Sequence, residues 1–200
     1  MKKIIFFIIT FYVFSCQVFA ATDKVRFLTN SIDAASISSE ADGENSTALS
    51  GSIVLSVSNN INSVLNNVSS KDIISISSGD NSFALSGSAA FVMSNNINYI
   101  SNNVKAKSIE SYSMQQSAVS LSGSILVKNS NSINDIENNI IAKDIVSIAS
   151  GKNSIAISGG VYVDNSSNIE KVVNSVSCSN IYSSAEGKES SAIAAGVYIK

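Results

Sequence analysis

Apolar and small polar residues alternate along most of this chain. Ile145, Ser147, Ala149 and Gly151 occupy every second position, then Ser154 and Ala156, then Gly159, Val161 and Val163. A period of two predicts strands, because successive side chains of an extended backbone point to opposite faces. The chain has no proline, so every backbone N–H is available for a strand ladder. One stretch reads two ways. Ile61, Val64 and Val68, with their equivalents Ile97, Ile100 and Val104, are spaced three and four apart, which also suits one face of a helix. The residues between them are mostly Asn and Ser, poor helix formers, and the same stretch alternates as Val64, Asn66, Val68 and Ser70. The pattern therefore predicts an all-β chain, with a strand–helix repeat as the alternative.

The alternation itself recurs. Segments beginning at Ala35, Lys71, Lys107, Lys143 and Ser179 align without gaps at a spacing of 36, and the fifth is incomplete, running to Lys200. Two columns are invariant in all five copies: Ile37, Ile73, Ile109, Ile145, Ile181, and Ser39, Ser75, Ser111, Ser147, Ser183. The four copies that reach them share Asn66, Asn102, Asn138, Asn174 and Ile61, Ile97, Ile133, Ile169. All ten glycines fall in three columns, although Gln115 stands where the other copies carry Gly43, Gly79, Gly151 and Gly187. A gapless repeat means that each copy is one unit stacked on the next. These units predict a parallel β-solenoid of about five 36-residue repeats (35–70, 71–106, 107–142, 143–178, 179–200), with Ile and Val inside and Asn stacked on Asn. Each repeat could form one wide coil or two narrow ones, and the dissimilar half-repeats favour one.

The first 34 residues lie outside this register. Lys2 and Lys3 precede an apolar run from Ile4 to Phe14, and Val18-Phe19-Ala20 offers a cleavage site between Ala20 and Ala21. This is the layout of a secretory signal over residues 1–20, and the run is too short to span a bilayer as a helix. Two alternatives are a lipoprotein signal acylated at Cys16 and an uncleaved anchor. Residues 21–34, with Asp23, Lys24, Arg26 and Asp33, are expected to cap the N-terminal coil. The run Ala195 to Ile199 is strand-like and carries no comparable cap.

Composition then removes whole classes of chemistry. There is no His, so no imidazole base, no His-activated nucleophile and no His metal ligand. Two Cys cannot build a zinc finger, and signal removal would leave only Cys178, in a column otherwise held by Ala106, Ala142 and Ser70. A formal net charge of −2 offers no footprint for nucleic acid. Asp72 and Asp144 share a column with Ser36, Ser108 and Asn180, while Glu44, Asp80, Lys152 and Lys188 share another of mixed sign. Such columns read as solvated faces rather than the paired carboxylates of a glycosidase. Calcium-binding rolls need Asp-rich turns, which are absent. No catalytic, cofactor or metal residue is expected, and the chain is read as a non-enzyme.

What remains is surface. Behind the second glycine column runs Ile53-Val54-Leu55, Ile125-Leu126-Val127, Val161-Tyr162-Val163 and Val197-Tyr198-Ile199. One alternate set fills the coil. The other, Val54, Ala90, Leu126, Tyr162 and Tyr198, would form an apolar stripe, covered either by a partner or by another part of the same chain. An open end near Tyr198 and Ile199 would invite pairing with a further chain. Val54, Leu126, Tyr162, Tyr198 and Ile199 are thus the candidate assembly surface. The element Ser147-x-Ala149-x-Gly151-x-x-Ser154-x-Ala156 resembles the repeat core of bacterial functional-amyloid subunits of the curli and Fap types. Gly-x-x-Ser-x-Ala is also similar to head repeats of trimeric autotransporter adhesins. The resemblance covers residues 35–200 and departs from the amyloid families in having few Gln. It implies an exported subunit of a surface fibre, active in adhesion or biofilm matrix. The alternative is a monomeric envelope binding module, a lipoprotein accessory or a protein that binds glycan on the Asn-rich face around Asn66, Asn102 and Asn138.

Overall fold

The computed structural model describes residues 17–20, 27–56 and 58–200. The described residues are all-β, without a helix, and wind into a parallel β-solenoid of about five turns. β1 (Gln17–Ala20) precedes the first coil. Coil one contains β2 (Leu28–Asp42), β3 (Thr47–Ser50), β4 (Ser52–Ser56) and β5 (Asn59–Ile61). Coil two contains β6 (Val64–Ser78), β7 (Phe83–Ser86), β8 (Ala89–Val92) and β9 (Asn95–Ile97). Coil three contains β10 (Ile100–Met114), β11 (Val119–Ser122) and β12 (Ile125–Lys128), and β13 (Asn131–Ser150) runs from it into coil four. Coil four adds β14 (Ile155–Ser158) and β15 (Val161–Asp164). β16 (Ser167–Ser177) runs from coil four into the last coil, which also contains β17 (Asn180–Glu186), β18 (Ser191–Ala194) and β19 (Val197–Ile199).

Strands of equal position stack into three parallel sheets. The orders are β1-β4-β8-β12-β15-β19, β3-β7-β11-β14-β18, and β2-β6-β10-β13 with β5 and β9 beside β13 and with β16 and β17 also on it. From β2 onward every pairing is offset by 36 residues, as in Ile37↔Ile73, Ile109↔Ile145 and Ile145↔Ile181. Each repeat is therefore one wide coil. The stretch with helical spacing is strand as well: Ile61 lies on β5, Val64 and Val68 lie on β6, and all three face the core. In-register stacking gives each backbone group there a partner in the next coil, which outweighs the weak helical periodicity.

The N-terminal boundary differs from the expected one. Leu28, Asn30 and Ile32 pair with Val64, Asn66 and Val68 in the same 36-residue register. Residues 28–34 are thus the front of coil one, not a cap. Residues 21–26 lie outside the described residues.

Three apolar columns run along the axis. One joins Ile53, Leu55, Ile61 and Val64 to their equivalents, and a second joins Ile37, Val68 and Ile73 to theirs. The third, Leu49, Leu85, Leu121 and Ile157 against Ala90, Leu126 and Tyr162, lies between the sheets of β3 and β4. It forms on the side of these strands opposite to the other two columns, since Leu49 alternates with Ala48 and Ser50, and Val54 with Ile53 and Leu55.

The turn after each long strand is built on a backbone that L-residues avoid. Gly43, Gly79, Gly151 and Gly187 have φ between 110° and 121°, whereas Gln115 holds the same place at 87°. A side chain there carries backbone strain of about 1–3 kcal/mol. Gln115→Gly is expected to raise the thermal midpoint by about 2–4 °C, the shift that ~1 kcal/mol gives a chain of this size. A differential scan of the variant against the parent checks it, and an unchanged or lowered midpoint contradicts the strain.

Candidate interaction surface

The Asn column lies inside the coil. Asn30, Asn66, Asn102 and Asn138 each donate from Nδ2 to Oδ1 of the next, at 2.7, 2.7, 2.9 and, to Asn174, 2.9 Å. The second N–H of four amides goes to a corner carbonyl: Asn66 to Gly51, Asn102 to Gly87, Asn138 to Gly123 and Asn174 to Gly159, at 3.0–3.1 Å. A backbone that bends at a glycine inside the coil leaves a carbonyl without a ladder partner, and the Asn amide supplies it. Asn66, Asn102 and Asn138 are fully buried. These three side chains face the interior, so a glycan on this flank would meet their neighbours instead. Asn30 belongs to the same ladder. Extending the repeat upstream by 36 from Asn66 would have found it.

The Ser column is interior too. Ser75, Ser111 and Ser147 donate to the carbonyls of Leu85, Leu121 and Ile157 at 2.7, 2.6 and 2.7 Å. Ser39 bonds Ser50 at 2.8 Å, and Ser183 donates to the Ala156 carbonyl at 2.8 Å. The five Ile of the first column face the second apolar column, Ile37, Ile73, Ile109 and Ile145 buried and Ile181 partly so.

The outward Asn ladder is one residue further along. Asn103 donates to Asn67 at 2.9 Å and Asn139 to Asn103 at 3.0 Å. With Ser31, Lys105 and Ile141 these residues line an open groove of about 420 Å³. Beside it, Glu137 accepts from Asn139 at 2.9 Å and from Tyr99 at 2.9 Å. Those hydrogen bonds, the one from Asn139 first, hold its carboxyl below the usual range against the opposing effect of burial, with help from the Lys171 charge. On the neighbouring flank burial, then the hydrogen bond to Glu110 and its charge, push the Tyr112 phenol up to about 12. Asp144 accepts from Asn180 at 2.6 Å, and Lys71 lies 4.0 Å from Asp72 on the exposed surface. No group of three or more His, Cys, Asp or Glu that could hold a metal occurs among the described residues.

The predicted apolar stripe is largely covered by the chain itself. Ala90, Leu126 and Tyr162 are buried in the third column, and Val54 is half-buried beside them. Leu126 and Tyr162 are therefore core positions and leave the candidate assembly surface, whereas Val54, on the first coil, keeps part of its surface exposed. Alternation along β4 predicted a second apolar face, but only the bend between β3 and β4 brings Leu49 and its equivalents onto it. Burial raises the Tyr162 phenol above its ordinary value, as do the nearby Asp164 and Tyr198. A half-open pocket of about 250 Å³ lies beside Ala90, lined also by Thr47, Val54, Phe83, Leu85 and Val92.

At β19 the column is exposed. Tyr198 stacks on Tyr162 with ring centroids 5.2 Å apart, yet its other face is uncovered. Val197, Tyr198 and Ile199 are 47, 44 and 55% exposed, while Val161 and Val163 one coil earlier are fully buried. Tyr182 and Val173 are exposed on the same coil. At the opposite end Ile37, Leu49, Ile53 and Leu55 are buried, and β1 pairs with β4.

Cys178 is a free, half-buried thiol packed against the second apolar column with Ala34, Ala106 and Ala142, as its small-residue column suggests. Lys2, Lys3, the apolar run, Cys16 and Ala21 lie outside the described residues, while Ala20 ends β1. Among the described residues no helix is long and apolar enough to cross a membrane. Compared with protein-family models, curated proteins and solved structures, the chain finds no match.

Proposed function

We propose that this chain is an exported structural and adhesive repeat protein that self-assembles at the cell surface, as a subunit of a fibre or biofilm matrix. The observation that carries this reading is the exposed apolar side of β19. Val197, Tyr198 and Ile199 are exposed whereas Val161, Tyr162 and Val163 one coil earlier are buried, and they lie on a strand whose outer edge has no partner among the described residues. Such an edge is a template for another chain. Tyr198→Lys combined with Ile199→Lys should abolish assembly and leave the strand content of the monomer unchanged. Light scattering and electron microscopy of residues 21–200 read the first, and circular dichroism the second. Undiminished filament growth by the double variant would overturn the reading. Residues 21–200 retain every coil-to-coil pairing except β1 with β4, so the fold is carried by this part.

A monomeric glycan-binding module is the second reading, favoured by the outward ladder of Asn67, Asn103 and Asn139 along its groove. Its amides present both donors and acceptors, which sugar hydroxyls can pair with. A stable monomer that binds on a glycan array would support it, and a silent array would remove it.

A further inference from the structure

β1 occupies a place for which the chain has a second, better-matched strand. It pairs with the outer edge of β4 in parallel, Val18↔Ile53, Phe19↔Val54 and Ala20↔Leu55. In the regular stack the strand at this column is apolar–aromatic–apolar in two other coils: Val161-Tyr162-Val163 and Val197-Tyr198-Ile199. Position 197 lies four repeats of 36 beyond position 53, so β19 is the β4 strand of the last coil. A second copy stacked ahead of coil one would therefore set its Val197, Tyr198 and Ile199 opposite Ile53, Val54 and Leu55. Those are the residues that Val18, Phe19 and Ala20 face in register.

We infer that β1 holds, within one chain, the site that β19 of a second copy takes when residues 1–20 are removed. This rests on the self-assembly reading above and on cleavage after Ala20. Three observations support it. The exposed apolar residues of β19 need cover, and β4 is an edge already shown to accept a parallel strand. The leader sequence ends in the same apolar–aromatic order that β19 carries. The interior Asn ladder has one polarity, each amide donating toward the following coil, so head-to-tail stacking continues it in the same sense. Such a contact joins two different surfaces and does not close on itself, which yields filaments rather than dimers. Loss of the leader would then expose the growing site only after export.

Paired cysteines test the register. Val54→Cys and Tyr198→Cys are made separately in chains from Ala21 carrying Cys178→Ser, then mixed under mild oxidation. Neighbouring parallel strands place paired Cα atoms ~4.8 Å apart, within the range a disulfide spans. The expected result is a disulfide-linked pair in the mixture and none in either variant alone. With residues 1–20 retained and Cys16→Ser, the yield should fall at least about tenfold, because a tethered strand competes at a millimolar effective concentration. Assembly without this cross-link would overturn the inference and leave self-assembly standing. Absence of both cross-link and assembly would overturn both. Equal cross-linking with the leader present would refute the occupancy by β1. If circular dichroism shows either variant unfolded, the pair Ser56→Cys (half-buried) and Lys200→Cys (exposed) reads the same register with the same outcomes.

Discussion

Asn102→Leu is expected to destabilise the solenoid by about 3–9 kcal/mol, the sum over three buried groups that lose a partner. Leu matches the branching of Asn but carries bulkier methyls, so overpacking at this fully buried site adds to the loss of the polar contacts. Three buried groups lose a partner together: the Gly87 carbonyl, the Asn138 Oδ1 and one N–H of the Asn66 amide. Each unpaired buried group costs ~1–3 kcal/mol, since no water replaces the lost partner. A urea titration should show the midpoint lowered by at least about 1 M. The same change at Asn174, which is half-buried at the open end, should cost under about 1 kcal/mol because water can take over there. Equal losses at the two positions would mean that the ladder does not act through buried carbonyls.

The second large effect concerns the turn glycines. Gly79→Ala should cost on the order of 3 kcal/mol or more, combining backbone strain with a clash. Its new Cβ would lie 2.1 Å from the Gly43 carbonyl oxygen, and its φ is 117°. Gly43→Ala meets nothing within 4 Å and shares nearly the same φ, 114°. It should cost only the conformational part, ~1–2 kcal/mol. The difference between the two variants, read from their denaturation midpoints, measures what coil stacking adds. If both fall equally, backbone conformation alone explains the column.

These two predictions show why much of the fold is legible in the sequence. Stacked coils place each residue against its own equivalent, so a position that favours Asn or Gly in one coil favours it again 36 residues on. Parallel stacking also makes the strand reading of Ile61, Val64 and Val68 consistent with their neighbours, although spacing alone admitted a helix. The start of coil one at Leu28 was within reach too. Asn30 and Ile32 already stand 36 before Asn66 and Val68, but the charges at Asp23, Lys24 and Arg26 suggested a separate segment.

The sequence alone determined the period, the strands and the invariant columns, because alternation and repetition are local and additive along the chain. Tertiary structure decided which face of each strand is inside. Alternation separates two faces but does not say what meets them. The bends at Gly51, Gly87, Gly123 and Gly159, all with φ near 60°, swing Leu49 and its equivalents across Val54, Leu126 and Tyr162. The same bends leave the carbonyls that draw Asn66, Asn102 and Asn138 inward and leave Asn67, Asn103 and Asn139 facing out. A backbone dihedral at a corner thus sorts neighbouring, chemically identical side chains into core and surface, and no residue-by-residue pattern carries that choice.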